Sequence, residues 1–360
     1  MSSLSRYADI HPHLERVACI KIKGGEKFVI HNEFVYLSSK YGGNHQICVI
    51  DISQPEKALL KPDIVFKNAI ANLALKDNIL FAPESYRAIN FIDLSDPNKP
   101  NYFDCCLMLD RSMSDIAILG DYAFVAMSSD GVALVDISDL TNSKMIDSIK
   151  LDEGSAEAIQ VVGKNIIVAC GTGGVRVFNI EQDKIVQVAC HQPKKCYVQR
   201  LFKMKNEIWA VNTRTSPESV MIIDSSDLSR LKSTFEPEEN SPQGACFQLS
   251  DGNAVAFSLH YSATVYAPSN NQSLELFKMY SKNENDEINP KGEYIEYPSS
   301  GNFSSEKMEQ LDISRSCLDD VSCAEIRNDY LYAVQSCYFN VYKITNNSVF
   351  KDVINLRARV

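Results

Sequence analysis

Apolar residues in this chain come in short alternating runs, each closed by an acidic or amide residue and then a polar turn. The segments ICVIDISQPEKALL (47–60), INFIDLSDPNKP (89–100), ALVDISDL (133–140), RVFNIEQDK (176–184), MIIDSSDLSRL (221–231) and NVYKITNNSVF (340–350) share this pattern. ATVYAPSNNQSLEL (263–276) is a degenerate copy. Aligned on Asp51, Asp93, Asp136, Asn179, Asp224, Ala267 and Lys343, the copies are spaced by 42, 43, 43, 45, 43 and 76 residues. Five agreeing spacings define an internal repeat.

The third copy shows the order within a period. SDIAILG (114–120) alternates, Asp121 and Tyr122 turn the chain, YAFVAMS (122–128) runs back, and SDG (129–131) turns again. VALVDIS (132–138) and KMIDSIKL (144–151) complete four strands. Four short strands in a period of about 40–45 residues is the arithmetic of a β-propeller blade. Helical spacing is nearly absent, and Val, Ile, Tyr and Phe fill the apolar positions as strands prefer. The expected fold is therefore all-β: a seven-bladed propeller of four-stranded antiparallel blades, occupying 15–360 as one domain behind a flexible tail at 1–14. ERVACIKI (15–22) alternates without a blade of its own and is expected to close the ring by pairing into the last blade. The excess between the last two copies falls at 281–320, a charged, Ser/Asn-rich stretch expected to be a surface insertion with at most a helical turn near 304–311.

The third-strand runs ICVIDIS, INFIDLS, VALVDIS and VMIIDSS resemble LVIVD repeats, the motif of a family of bacterial and archaeal β-propellers. The resemblance spans roughly residues 25–350. Copies six and seven depart from it, with Ala267-Pro268 and Lys343 at the acidic position. It implies the propeller fold and transfers no particular activity. A GH…WD signature is missing and Trp209 is the single tryptophan, which sets the chain apart from WD40 arrays.

Composition narrows the partners. Lys+Arg 36 against Asp+Glu 46 leaves a net charge of −10, which repels phosphate backbones and argues against nucleic acid. The longest apolar runs, such as AFVAM (123–127) and IIVAC (166–170), are strand-length, far short of the ~18 residues of a membrane helix. The opening MSSLSRYADIHPHLERVACI has no apolar leader core, so a cytoplasmic protein is expected. Eleven irregularly spaced cysteines fit reduced thiols packed as small hydrophobes.

Candidate chemistry is sparse. The repeated Asp51, Asp93, Asp136 and Asp224 each end a strand before a polar turn, where a carboxylate accepts backbone N–H bonds, and Asn179 is expected to do the same. Cys190-His191 with Cys196, and Cys317, Cys323 and Cys337, lack the CxxC pairs of a structural zinc site. GTGG (171–174) lies between two strand runs, so it reads as a hairpin turn, since a phosphate cradle needs a helix after its glycines. No cofactor or metal is expected.

What remains is the channel mouth, where the inner strands would bring Asn72, Asp115, Glu157, Arg200, Gln248 and Glu325 as candidate ligand-binding residues. The expected function is a non-catalytic scaffold that binds a protein partner through one face and the 281–320 insertion, with Tyr294, Tyr297, Phe303 and Met308 as anchors. The alternative is a metal-dependent hydrolase-like enzyme with its site at the channel mouth.

Overall fold

A computed structural model describes residues 14–23, 25, 27–38, 45–84, 88–203, 206–212, 219–235, 246–248, 254–258, 262–267, 272–278, 321–335 and 338–344. The expected insertion, with Tyr294, Tyr297, Phe303 and Met308, lies outside them. The chain packs into two compact units, one of residues 20–241 and one of 1–19 with 242–360.

Strand β1 (Leu14–Lys21) comes first and pairs far along the chain. The first sheet of the larger unit holds β2 (Lys27–His31), β3 (Phe34–Ser38), β4 (Gln46–Asp51), β5 (Leu59–Leu60) and β6 (Ile64–Val65). The second holds β7 (Ala74–Lys76), β8 (Ile79–Glu84), β9 (Ala88–Asp93) and β10 (Asn101–Met108). The third holds β11 (Asp115–Leu119), β12 (Tyr122–Ala126), β13 (Val132–Asp136) and β14 (Lys144–Ile149), each lying within the run read from the sequence and up to two residues shorter at an end. Then follow β15 (Ala158–Val162), β16 (Asn165–Ala169), β17 (Val175–Glu181) and β18 (Lys184–His191). The fifth holds β19 (Val198–Lys203), β20 (Glu207–Asn212), β21 (Ser219–Asp224) and β22 (Leu231–Phe235).

In the smaller unit, one sheet is β23 (Cys246–Gln248), β24 (Ala254–Ser258), β25 (Ser262–Ala267) and β26 (Gln272–Lys278). The other joins β27 (Val321–Arg327), β28 (Tyr330–Gln335) and β29 (Tyr338–Ile344) to β1 in the order β1-β29-β28-β27. The alternating run near the N-terminus thus supplies the outer strand of the last sheet, as its pattern implied.

The expectation of seven four-stranded blades needs correction, because six sheets have four strands and the one led by β2 has five. Its outer edge is split in two, with β5 on Ile50 and Asp51 and β6 on Gln46 and Ile47. Pro62 sits between them. It has no N–H to donate, so the ladder breaks there and resumes beyond it. The register slips by one residue across this gap, as it does at Leu134/Val135, Val177/Phe178 and Ile222/Ile223 in the other sheets, and here the proline falls at the slip.

Every pairing inside the sheets is antiparallel, and the second strands show why the sheets stack. β3, β8, β12, β16 and β20 are buried almost throughout, on both faces, as befits strands sandwiched between neighbouring sheets. Each carries one large, fully buried side chain at the same rung: Tyr36, Phe81, Phe124, Ile167 and Trp209. The cores lie between consecutive sheets. Ile116, Val125 and Val135 pack with Phe81, Phe91 and Leu107, while Phe124 and Leu134 pack with Ile166, Val168 and Phe178. Burial at roughly 25 cal/mol per Å² of apolar surface makes these inter-sheet cores the main stabilising term.

Turns between second and third strands follow the sequence reading. In 128–131 and 171–174 the loop is closed by the same bonds, Met127 N–H to Gly131 O at 2.7 Å and Cys170 N–H to Gly174 O at 2.7 Å. Ser128 and Gly171 open these turns at positive φ, 49° and 55°. GTGG is a hairpin turn.

Gly131 and Gly120 offer a direct test of this backbone argument. Gly131 has φ +87°, and a Cβ there would overlap the Ile149 carbonyl oxygen, whereas Gly120 has φ +57° and open space around it. Gly120→Ala is expected to cost only the left-handed penalty, about 1–2 kcal/mol. Gly131→Ala adds a backbone clash and is expected to cost about 3 kcal/mol or more. Chemical denaturation of the two variants reads the difference.

Candidate functional site

Inner strands β2, β7, β11, β15 and β19 pack side by side within residues 20–241. Their first residues gather at one end of the sheets, beside the turns 128–131 and 171–174. Antiparallel register places Lys27, Asp115, Ala158 and Arg200 on one rung, opposite Ser38, Ala126, Ala169 and Val211. Asn72, two residues before the Ala74–Phe81 pair, continues that rung in the second sheet.

Asp115 is the centre of this end. It is 2% exposed, and four donors reach its carboxylate. Oδ1 accepts from the Asn72 amide and from Ile116 N–H at 2.9 Å. Oδ2 accepts from Ile159 N–H at 3.0 Å and from Lys27 Nζ at 3.4 Å. A carboxylate offers about four acceptor sites, so Asp115 is saturated. Its bonds tie together the first four sheets. Ser114 Oγ adds a second tie, donating to Ala156 O at 2.5 Å.

Glu157 stands one residue off the rung and therefore belongs to a different group. Its Oε1 accepts from the Ser155 hydroxyl and from Tyr197 OH at 3.4 Å. Tyr197 N–H donates to Oδ1 of buried Asn212 at 2.5 Å, and Asn212 Nδ2 donates to Ser219 Oγ at 3.0 Å. The structure thus brings Asn72 and Asp115 into contact and puts Glu157 in a neighbouring network. Arg200 shares the rung of Asp115. Gln248 ends β23, and Glu325 lies in β27 opposite Tyr332, both in the other unit. Among the described partners, Lys27, Ser155 and Tyr197 were missed. Stepping back by about one period from Asn72 would have found Lys27.

Beside Tyr197 the same end opens into a cleft of about 320 Å³. Glu153, Thr172, Gln192, Lys194, Lys195 and Cys196 line it. Its walls are the β14–β15 connection, the 171–174 turn and the β18–β19 connection. Gln192 Nε2 donates to Glu153 Oε2 at 2.7 Å and to Thr172 O at 3.2 Å. Cys196 Sγ donates to Thr172 O at 3.2 Å, and burial, with Glu153 nearby, pushes its thiol up. His191 Nε2 bonds Leu228 O at 2.8 Å. Neither this His nor the two thiols converge on a metal site: among the described residues no group of three or more His, Cys, Asp or Glu is placed to hold an ion.

The repeated aspartates are turn formers. Asp93 Oδ1 accepts from Ser95 N–H at 2.8 Å and Ser95 Oγ at 2.6 Å, and Asp136 repeats this with Ser138 at 3.0 and 2.7 Å. Asp224 does so with Ser226 at 2.9 and 2.6 Å. In each, the serine hydroxyl first and its N–H second hold the carboxyl below the usual carboxylate range. At Asp51 burial opposes the shift, and Ser53 together with Lys61 outweighs it. Asn179 departs from the expectation. It lies inside β17, and its oxygen accepts from the next residue, Ile180 N–H, at 2.8 Å. The hairpin there turns later, at Gln182 and Asp183, so no strand-ending turn forms at Asn179.

Cys48, Cys106, Cys170, Cys190 and Cys196 carry free thiols. Cys48, Cys170 and Cys196 are buried, with burial pushing Cys48 and Cys170 up to about 12. Cys19, Cys106 and Cys190 are exposed, so packing does not account for all the thiols.

Four-stranded antiparallel sheets of this register define an all-β propeller. Residues 110–150, which hold the third sheet, match the family model of the LVIVD repeat. No curated protein matches it. Among solved structures, Raptor of Chaetomium thermophilum is similar at TM-score 0.63 and 13% identity, over 95% of this chain and 30% of that one. This chain therefore spans less than a third of Raptor's length. The WD40 β-propeller domain of Doa1 is similar at TM-score 0.58 and 8% identity, covering 92% and 97% of the two chains. The computationally designed Ika8 protein follows at 0.56 and 11%, covering 92% and 100%. At these identities the likeness concerns the fold.

Removing Asp115 strands an Asn amide, two backbone N–H groups and a lysine at once. Asp115→Ala leaves several donors unsatisfied, each buried one costing about 1–3 kcal/mol, and is expected to cost about 3–5 kcal/mol in all. Asp115→Asn keeps one acceptor and should fall between; urea denaturation measures both.

The turn aspartates generate a pH test. Their folded pKa values lie below the unfolded one, so they add stability above the unfolded value and lose it as pH falls through the folded value. A variant with Asp93, Asp136 and Asp224 all changed to Ala is expected to lose stability at neutral pH. Its stability should also fall less steeply than the wild type's below about pH 4, as followed by denaturation across that range.

Proposed function

We propose that this protein is a non-catalytic propeller scaffold that binds a protein partner through the loop-bearing end of its inner strands together with segment 281–320. One observation carries the reading: Asp115, a carboxylate buried to 2% exposure at that end, spends all four acceptor sites on Asn72, Lys27, Ile116 and Ile159. A carboxylate so engaged holds sheets together. It serves neither as a base nor as a metal ligand. Propellers commonly present such an end as an interaction surface, which supports the same reading. The net charge of −10 favours a protein over a nucleic acid as partner. A reducing, cytoplasmic setting completes the proposal, supported by the free buried thiols of Cys48 and Cys170.

The experiment compares the full chain with a variant in which 281–320 is replaced by a short Gly/Ser turn. Partners are captured from native lysate and identified by mass spectrometry. The expected outcome is an unchanged unfolding midpoint and loss of the partner. A folded variant that retains its partner at unchanged affinity defeats the role of the segment.

A further inference from the structure

The cleft beside Tyr197 is not used by the Asp115 or Glu157 networks, and its charges are arranged unevenly. Lys194 and Lys195 are both exposed at the bend of the β18–β19 connection, and both face the cleft. Neither forms a salt bridge among the described residues. Some lysines of the same unit pair, as Lys61 does with Asp51 and Lys76 with Asp121, and others, such as Lys57 and Lys67, do not; Lys194 and Lys195 differ in being adjacent and in lining a cleft. In a chain of net charge −10, two adjacent unpaired ammonium groups on a concave surface are a local exception.

The opposite wall is anionic. Glu153 is pinned there by the Gln192 amide at 2.7 Å, and Gln192 is itself held on Thr172 O at 3.2 Å. Gly154 fixes this wall, since a Cβ on it would overlap the Cys170 carbonyl oxygen. The cleft is thus polarised, cationic at 194–195 and anionic at 153. A volume of about 320 Å³ is at the low end of the ~300–1,000 Å³ of small-molecule sites, room for one or two residues of a peptide.

We propose that this cleft receives an acidic residue from a peptide segment of the partner. Its carboxylate sits between Lys194 and Lys195, and the adjoining neutral or basic residue lies toward Glu153. This inference rests on the scaffold reading and names the chemistry of the partner. A carboxylate of the ligand is drawn to the lysine end and repelled from Glu153, so the segment has one favoured direction. The pair also contributes long-range attraction that weakens with salt.

The test uses the full chain and fluorescence anisotropy with two labelled probes, hexaglutamate and hexaglutamine. Hexaglutamate is expected to bind, more weakly as salt rises, while hexaglutamine does not. The double variant K194Q/K195Q is expected to bind hexaglutamate about tenfold more weakly, the scale two exposed ion pairs can supply. The same exchange at exposed Lys57 and Lys67, in connections of the first sheet away from the cleft, should leave binding unchanged. Equal affinity of the wild type and K194Q/K195Q overturns the proposal, as does equal binding of the two probes. Displacement of hexaglutamate by free glutamate at matched concentration also overturns it, because the site would then take a small carboxylate. The variant lacking 281–320 separates the two ideas. If it keeps the native partner while hexaglutamate binding still depends on Lys194 and Lys195, the role of the segment fails and the cleft stands.

Discussion

Within residues 20–241 the sheets must be fastened at their inner ends, where the strands crowd and little apolar surface is available. Asp115 does the fastening. Buried to 2% exposure, its charge would be strongly unfavourable without partners, and its partners come from the first four sheets in order. The cost of burying the carboxylate is offset only when all those sheets stand in place together. A satisfied network of this kind specifies one arrangement, and a partly satisfied one is worse than none. The inter-sheet cores supply bulk stability, while the Asp115 bonds select the register of the inner strands.

The same constraint divides this end of the molecule into groups with different freedom. Asp115 and Asn72 are committed to the scaffold. Glu157, Ser155 and Tyr197 form a second, less buried group, and Tyr197 leads through Cys196 to the cleft. Polar side chains become more exposed along that path, from a saturated carboxylate to the unpaired lysines at 194–195. Binding surfaces on repeat scaffolds arise where connections vary while the strands repeat. The β18–β19 connection, with its Pro193 and two lysines, is such a place.

Turn chemistry repeats as faithfully as the strands. The Asp-x-Ser turns at 93–95, 136–138 and 224–226 reuse one geometry, a carboxylate holding a hydroxyl and an N–H two residues on. Where the repeat places Asn179, the bond shifts to the next residue and the strand runs on to Glu181. Conserving the acceptor was not enough, because the turn also needs the serine that follows.

The alternating apolar runs, the 43-residue period and the four strands of each period were legible in the sequence, since periodicity is a local property that burial imposes on every copy. β11–β14 and the pairing of the N-terminal strand into the last sheet followed from it. Glycine and aspartate turns were legible for the same local reason. Tertiary structure alone decided which polar residues meet. Lys27 and Asp115 are 88 positions apart, and Glu157, one residue before β15, bonds Ser155 and Tyr197 instead of joining the Asp115 group. The saturation of Asp115 and the cleft beside Tyr197 depend on contacts between repeats. Those contacts follow from how whole sheets pack, and a repeat read along the chain does not contain them.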